Sequence, residues 1–163
     1  MKKASKPISL SRAVALRIAA RRARRKVVFT NGVFDLLHVG HARYLAAARA
    51  CGDLLIVGLN ADSSVRRIKG PKRPIVPQSQ RAEMLLALGC VDHVVIFADE
   101  TPFRLIKALQ PDVLVKGADW AADDIVGADI VKASGGRVVR VRIAKGWSST
   151  NLIKRILAAY RHE

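Results

Sequence analysis

Thr30-Asn31-Gly32-Val33-Phe34-Asp35-Leu36-Leu37-His38-Val39-Gly40-His41 is the stretch on which the reading of the fold turns. It follows the short apolar run Lys26-Val27-Val28-Phe29 and leads into a helix-period segment, Ala42 to Cys51. This is a strand-to-helix junction, and it puts two imidazoles, His38 and His41, on the first turn of a helix. Backbone N–H groups lack intrahelical partners there, and the helix dipole is positive. Such a helix start receives phosphate. Imidazole donors beside it suit the charge that grows when a phosphorus is attacked.

The same alternation continues outward in both directions. Strands are expected at 27–30, 54–59, 93–97, 113–115 and 138–143. Helices are expected at 40–51, 61–67, 78–88, 102–109, 124–133 and 150–160. Thr101-Pro102 reads as an N-cap followed by proline at the first helical position. Gly52, Gly89 and Gly135-Gly136 read as helix stops, and Ser148-Ser149 as a cap for the last helix. Strands and helices alternating at this spacing give an α/β fold, a Rossmann-like doubly wound parallel sheet of five strands with helices on both faces. Ligands of such sheets bind beyond the carboxyl ends of the strands, where the strand order reverses. The segments after strands one, four and five are Asn31–His41, Lys116–Trp120 and Gly146–Asn151. The irregular segment Lys69–Pro77, with Lys69, Lys72 and Arg73, reads as a mobile basic loop beside the sheet.

Within the opening stretch, Gly32 permits a turn that a Cβ would hinder. Gly40 lets a phosphate approach between the histidines. Asp35 is suited to orient a partner or to hold a substrate hydroxyl. A metal reading of His-x-x-His plus Asp35 lacks further ligands, because His93 and His162 stand in no ligand-like setting, so no protein metal site is expected.

The 163 residues suffice for one domain with a real core. Half are hydrophobic, but the apolar runs are short, so no transmembrane helix is expected. Net charge is +16, and residues 1–26 carry ten Lys or Arg and no acid, whereas the remainder carries 19 basic and 13 acidic residues. The chain therefore divides into a basic N-terminal arm, 1–25, and a main domain, 26–163. In the arm, Leu10, Val14 and Ile18 form a helical stripe that Ser9 could cap. The plain reading is a helix packing that stripe on the body. An organellar targeting peptide and a basic arm for nucleic acid or anionic membrane are the rival readings. Phe, Trp and Tyr total eight residues with no interleaved stacking pattern, which argues against a nucleic-acid-binding module. Cys51 and Cys90 form no disulfide framework or zinc knuckle and read as buried reduced thiols of a cytoplasmic protein.

The stretch from Thr30 to His41 resembles the HxGH nucleotidyltransferases, whose members move a nucleotide from ATP or CTP onto a phosphate-bearing acceptor. The resemblance runs from about Lys26 to Leu157. The segments Leu59-Asn60-Ala61-Asp62-Ser63, Arg67-Ile68-Lys69-Gly70, Arg73-Pro74-Ile75, Leu114-Val115-Lys116-Gly117-Ala118-Asp119-Trp120 and Ser148-Ser149-Thr150-Asn151 are similar to one branch, the D-glycero-β-D-manno-heptose 1-phosphate adenylyltransferases in their stand-alone form. The basic N-terminus departs from the family pattern.

The resemblance implies roles for particular residues. Phe29, Thr30 and Asn31 would end strand one against the nucleotide phosphates. His38 and His41 would bind the α-phosphate and stabilise the five-coordinate transition state, with Gly40 giving access. Asp35 would face the acceptor pocket. Lys69 would reach the phosphates, with Arg73 as a second cation. Arg81 reads equally as a structural ion pair or a subunit contact. Gly117 and Asp119 would approach a ribose or sugar hydroxyl, and Trp120 would pack. Ser148, Ser149 and Thr150 would cap the last helix and hold the β- and γ-phosphates. The implied substrates are ATP, carried with Mg²⁺, and a sugar 1-phosphate. The alternative is CTP with glycerol 3-phosphate or a related phosphate. Relatives generally associate, so a homo-oligomer is expected, with 78–91 as a contributing segment.

Overall fold

The computed structural model of the chain describes residues 6–118, 121, 124–142 and 148–160. Its elements are α1 (Leu10–Arg22), β1 (Val27–Gly32), α2 (Val39–Arg49), β2 (Leu54–Asn60), α3 (Asp62–Lys69), α4 (Gln78–Ala87), β3 (His93–Phe97), α5 (Phe103–Leu109), β4 (Val113–Gly117), α6 (Ala128–Ala133), β5 (Arg137–Val141) and α7 (Ser149–Ala159). The strands form one sheet in the order β3-β2-β1-β4-β5, with every neighbouring pair parallel. The chain builds outward from β1 through β2 to β3, then returns to the other side of β1 for β4. The order therefore reverses between β1 and β4, and a crevice opens at their carboxyl ends.

Side chains alternate across each strand, and two cores result. Val28, Leu55, Val57 and Val115 face Leu45, Ala48, Ala82 and Leu85 of α2 and α4. Val27, Phe29, Ile56 and Leu114 face Ala13, Ala20, Leu105, Ile106 and Leu109 of α1 and α5. At the amino edge of the sheet, aspartates satisfy the first strand donors. Asp112 accepts from Val27 N at 2.7 Å, Asp92 from Leu55 N at 2.8 Å and Asp53 from Lys26 N at 2.7 Å. A carboxylate accepting a backbone N–H is a charge-assisted bond, so one edge of the sheet is locked and the opposite edge is left for ligands.

Several boundaries differ from the sequence expectation. β1 runs on to Gly32 and β4 to Gly117, past the last apolar residue, because Gly32 still pairs with Leu59 and Gly117 with Val141. α5 begins at Phe103, with Pro102 one place earlier, at the cap. α6 begins only at Ala128, because Gly127 takes a left-handed φ of 80° at its cap. A Cβ at Gly127 would lie 2.8 Å from Ile106, so side-chain bulk is excluded there as well. Both cysteines are half-buried rather than buried.

The N-terminal helix forms and Ser9 caps it, its side chain accepting from Arg12 N at 3.2 Å. The expected stripe is only partly buried: Leu10 packs against the core and Val14 is half-buried, but the fully buried face lies beside it. Ala13, Arg17 and Ala20 face the body, whereas Ile18 is 49% exposed. Small residues let α1 lie close to α5. Arg17 then reaches past α5 to donate to Gln110 O at 2.9 Å and to Asp112 at 2.8 Å. One arginine of the basic arm thus serves as an anchor, and Ile8 N donates to Val94 O on the β3 edge at 2.9 Å.

Candidate active site

A cleft of about 790 Å³ lies over the carboxyl ends of β1 and β4. The β1–α2 segment supplies Asn31, Gly32, Val33, Phe34, Asp35, His38, Gly40 and His41. Ile68 and Lys69 come from α3, Arg73 from the loop after it, and Lys116 and Gly117 from β4. Residues 100–102, 124–126 and 148–150 complete the wall, with Tyr44 and Asn60 below.

His38 caps α2 with extended backbone, and its side chain makes no capping bond. Its ring stacks on that of His41, with centroids 3.8 Å apart and 21° between planes. Phe34 also packs on His41, the two rings in a T-shaped contact with centroids 5.3 Å apart. Phe34 adopts φ 48°, which a bulky residue rarely does. That conformation folds its ring over Gly32, where a Cβ would approach to 2.9 Å. The glycine therefore makes room for the phenylalanine that holds His41.

Burial pushes the His41 pKa down to about 4, helped by the neighbouring His38, and burial lowers His38 as well. Both rings are neutral donors at neutral pH. His41 Nδ1 is buried and has no hydrogen-bond partner among the described residues.

This arrangement has a consequence for stability. Below pH 6.5 the unfolded chain protonates a histidine that the folded chain holds neutral, so stability falls as pH drops from about 6.5 to about 4. The buried His93 has the same sign. Urea-denaturation midpoints measured across this range should decline, and His41→Gln should flatten the decline. A flat wild-type curve would contradict the neutral assignment.

Phe29 and Thr30 do not reach the cleft wall. Phe29 is fully buried in the core beneath, and the Thr30 hydroxyl pairs with Tyr44 Oη at 2.7 Å. Tyr44 Oη in turn lies 3.2 Å from Val115 O, where it donates. These groups fix α2 against β1 and β4, and so fix the histidines. Nothing in the sequence marks Tyr44 for this task.

Asp35 lines the cleft, but its carboxylate is already committed. It accepts from Arg73 Nε at 2.6 Å, Ile75 N at 2.8 Å and Val76 N at 2.9 Å, and its side chain is 1% exposed. Burial alone would raise its pKa. The backbone donors of Val76 and Ile75, with Arg73, outweigh that and hold it below the usual carboxylate range. Asp35 is therefore a clamp on the 73–76 segment, not an open acceptor contact, and Arg73 is its partner. Lys69 ends α3 rather than sitting in a loop, and it faces the cleft from there.

Arg81 resolves as a structural ion pair. It is 1% exposed and bonds Asp62 at 2.6 Å, together with the carbonyls of Val33, Asn60 and Val76.

At the switch point, Lys116 Nζ donates to Asn31 Oδ1 across the β1–β4 gap. Burial pushes its pKa down to about 8. The sequence placed Lys116 in a motif but gave it no role; a lysine ending an apolar strand was the available signal. Ser148 caps α7, accepting from Asn151 N at 3.1 Å, and Ser149 Oγ donates to Leu36 O at 3.2 Å. The start of α7 is thereby tied to the segment that carries the histidines. Asp119 and Trp120 lie outside the described residues. Among the described residues, no three His, Cys, Asp or Glu side chains gather as a metal-holding group.

The family model described as cytidylyltransferase-like matches residues 29–155, from within the first strand to the last helix. The chain belongs to that family. This cytidylyltransferase-like chain is 54% identical over 147 residues to the Bifunctional protein HldE of Geobacter sulfurreducens, which covers 90% of this chain and 30% of that protein. It is 57% identical over 139 residues to the HldE of Campylobacter curvus, covering 85% and 29%. The chain spans about 30% of the length of these curated relatives. Among solved structures, the lipopolysaccharide core biosynthesis protein from Thermoplasma volcanium superposes with a TM-score of 0.61 at 30% identity, covering 74% of this chain and 98% of that one. A protein of unknown function from Archaeoglobus fulgidus shares the fold, with a TM-score of 0.55 at 19% identity. The cytidylyltransferase-like chain is a nucleotidyltransferase. Among its described residues, no helix is long and apolar enough to cross a membrane.

Proposed function

We propose that the chain transfers AMP from ATP to D-glycero-D-manno-heptose 1-phosphate, giving ADP-heptose and pyrophosphate for lipopolysaccharide core or surface polysaccharide. The observation that carries the reading is the neutral His38–His41 stack at the start of α2, set over the switch point of a sheet whose sequence is 54% identical to HldE. The heptose assignment draws on the similarity of the segments around Asn60, Lys69, Lys116 and Ser148 to that branch.

An oxygen of the sugar phosphate attacks the α-phosphorus of ATP in line. The bond from that phosphorus to the bridging oxygen breaks, and pyrophosphate leaves with both its electrons. The attacking oxygen is already anionic at neutral pH, so no general base and no protein nucleophile are required. Mg²⁺ enters as part of the MgATP substrate. The protein positions the reactants and stabilises charge. His38, His41 and the α2 amino end face the α-phosphate. Ser148, Ser149 and Thr150 receive the departing phosphates at the start of α7. Lys69 approaches from α3, and Gly117 lets the nucleotide lie close to β4. These substrates belong to the cytoplasm, and we place the enzyme there as a homo-oligomer.

The family description favours CTP as the donor of a second reading, for which we take an alcohol phosphate such as glycerol 3-phosphate as acceptor. Pyrophosphate release measured with ATP or CTP against heptose 1-phosphate or glycerol 3-phosphate decides between them. Release with ATP and heptose 1-phosphate is expected. Release confined to CTP and glycerol 3-phosphate would overturn the assignment.

A further inference from the structure

We infer that Lys116 is a substrate-binding residue whose ammonium, aimed by Asn31 across the β1–β4 gap, takes a phosphate oxygen of one of the two substrates. The inference deepens the phosphoryl-transfer reading above and rests on it. Lys116 is 9% exposed, yet it borders the cleft. Its strand neighbours Leu114 and Val115 are fully buried core residues. A leucine or methionine at 116 would continue that core without the cost of removing an ammonium from water. Asn31 accepts from the ammonium through a neutral amide oxygen, which aims it.

The bond also joins the two strands whose separation creates the crevice, so it fixes where the charge stands. A desolvated ammonium on a flexible stem interacts with an anion more strongly than a solvated one does. Burial brings its pKa to about 8, so it remains mostly charged at neutral pH. Among the described residues, the other cations of the cleft differ in setting: Arg73 is paired with Asp35 through Nε, and Lys69 stands at the exposed end of α3. The remaining charged or titratable groups lining the cleft, among the described residues, are His38 at the cap of α2, His41 and Tyr44 within it, Glu100 before α5 and Asp124 before α6.

The chemistry recognised is a phosphate oxyanion, and the test separates its two sources. Full-length Lys116→Met, Lys116→Gln and Lys116→Arg are compared with wild type in three calorimetric titrations. The probes are α,β-methylene-ATP with Mg²⁺, heptose 1-phosphate, and pyrophosphate. Thermal melts establish that each variant is folded, and the glutamine variant serves if the methionine variant is not. The dissociation constant of one probe class should rise about 10- to 100-fold in the Met or Gln variant, as loss of a charged hydrogen bond does. A rise for the ATP analogue assigns the nucleotide side; a rise for the sugar phosphate assigns the acceptor side. The arginine variant should recover most of the affinity. It should also hold that affinity above pH 8, where wild type weakens as Lys116 loses its proton. Constants within twofold of wild type for all three probes in a folded variant would overturn the inference. The ATP-analogue and pyrophosphate titrations do not involve heptose, so a wrong acceptor assignment would show as absent turnover with these two arms still readable.

Discussion

Replacing His41 by alanine is expected to lower turnover by about 10² or more while the fold stands, because one transition-state donor is removed from a water-poor site. The ring is held by two aromatic neighbours, stacked on His38 at 3.8 Å and in a T-shaped contact with Phe34 at 5.3 Å. Its placement is therefore fixed before substrate arrives, and that preorganisation is what alanine removes. The structural loss is small by comparison. An aromatic pair contributes about 0.5–1.5 kcal/mol beyond its burial, and the backbone of α2 is held independently through Tyr44, Thr30 and Val115. The two effects separate experimentally. Single-turnover pyrophosphate release should fall by two orders of magnitude, while the thermal midpoint moves by only a few degrees. Turnover within a few-fold of wild type would remove His41 from the transition state. A matching collapse of stability would instead make the residue structural. Binding of MgATP in the ground state should weaken less than turnover does, since the donor matters most where charge develops.

The order of strands and helices was readable from the sequence because it is written in periodicity. A short apolar run buried on both faces, such as Leu54–Asn60 with Ile56 and Val57 at its centre, reads as a strand beside helix-period neighbours. The place of the cleft followed, because a parallel sheet of this kind reverses at one point. Less was legible where two residues far apart in sequence share one task. Asp35 looked like an open carboxylate; only the folded chain shows Arg73, Ile75 and Val76 converging on it. Thr30 looked like a phosphate contact until Tyr44, fourteen residues on, took its hydroxyl. On α1 the apolar stripe suggested one buried face, yet Ala13 and Ala20 won the contact because closeness to α5, not side-chain size, decided the packing. Lys116 shows the reverse case. Its motif was visible, but its value comes from desolvation and from Asn31, which are properties of the crevice rather than of the segment.

Arg81→Met should destabilise the protein by about 3–5 kcal/mol, the cost of breaking a buried charge pair by deleting one partner. The guanidinium spends its donors on four acceptors in three separate pieces of chain. Nε reaches Val76 O at 2.9 Å in the segment clamped by Asp35. One terminal nitrogen reaches Val33 O in the turn after β1, and the other holds Asn60 O at 2.9 Å and Asp62 at 2.6 Å, where β2 passes into α3. Methionine fills much of the volume but leaves three carbonyls and a carboxylate without that donor. Domains of this size are stable by about 5–15 kcal/mol, so a large part of the total would go. Lysine should not rescue, because a single ammonium cannot span the fork that the guanidinium fills. Asp62→Asn should cost much less, since Asp62 is the more exposed member and the carbonyls keep their arginine. Urea-denaturation midpoints for the three variants test the order. If Arg81→Met and Asp62→Asn lose the same small amount, the carbonyl bonds carry no weight and the residue is an ordinary ion pair. If the methionine variant loses several times more, the arginine is the joint that sets α3, and with it Lys69, against the histidine-bearing turn.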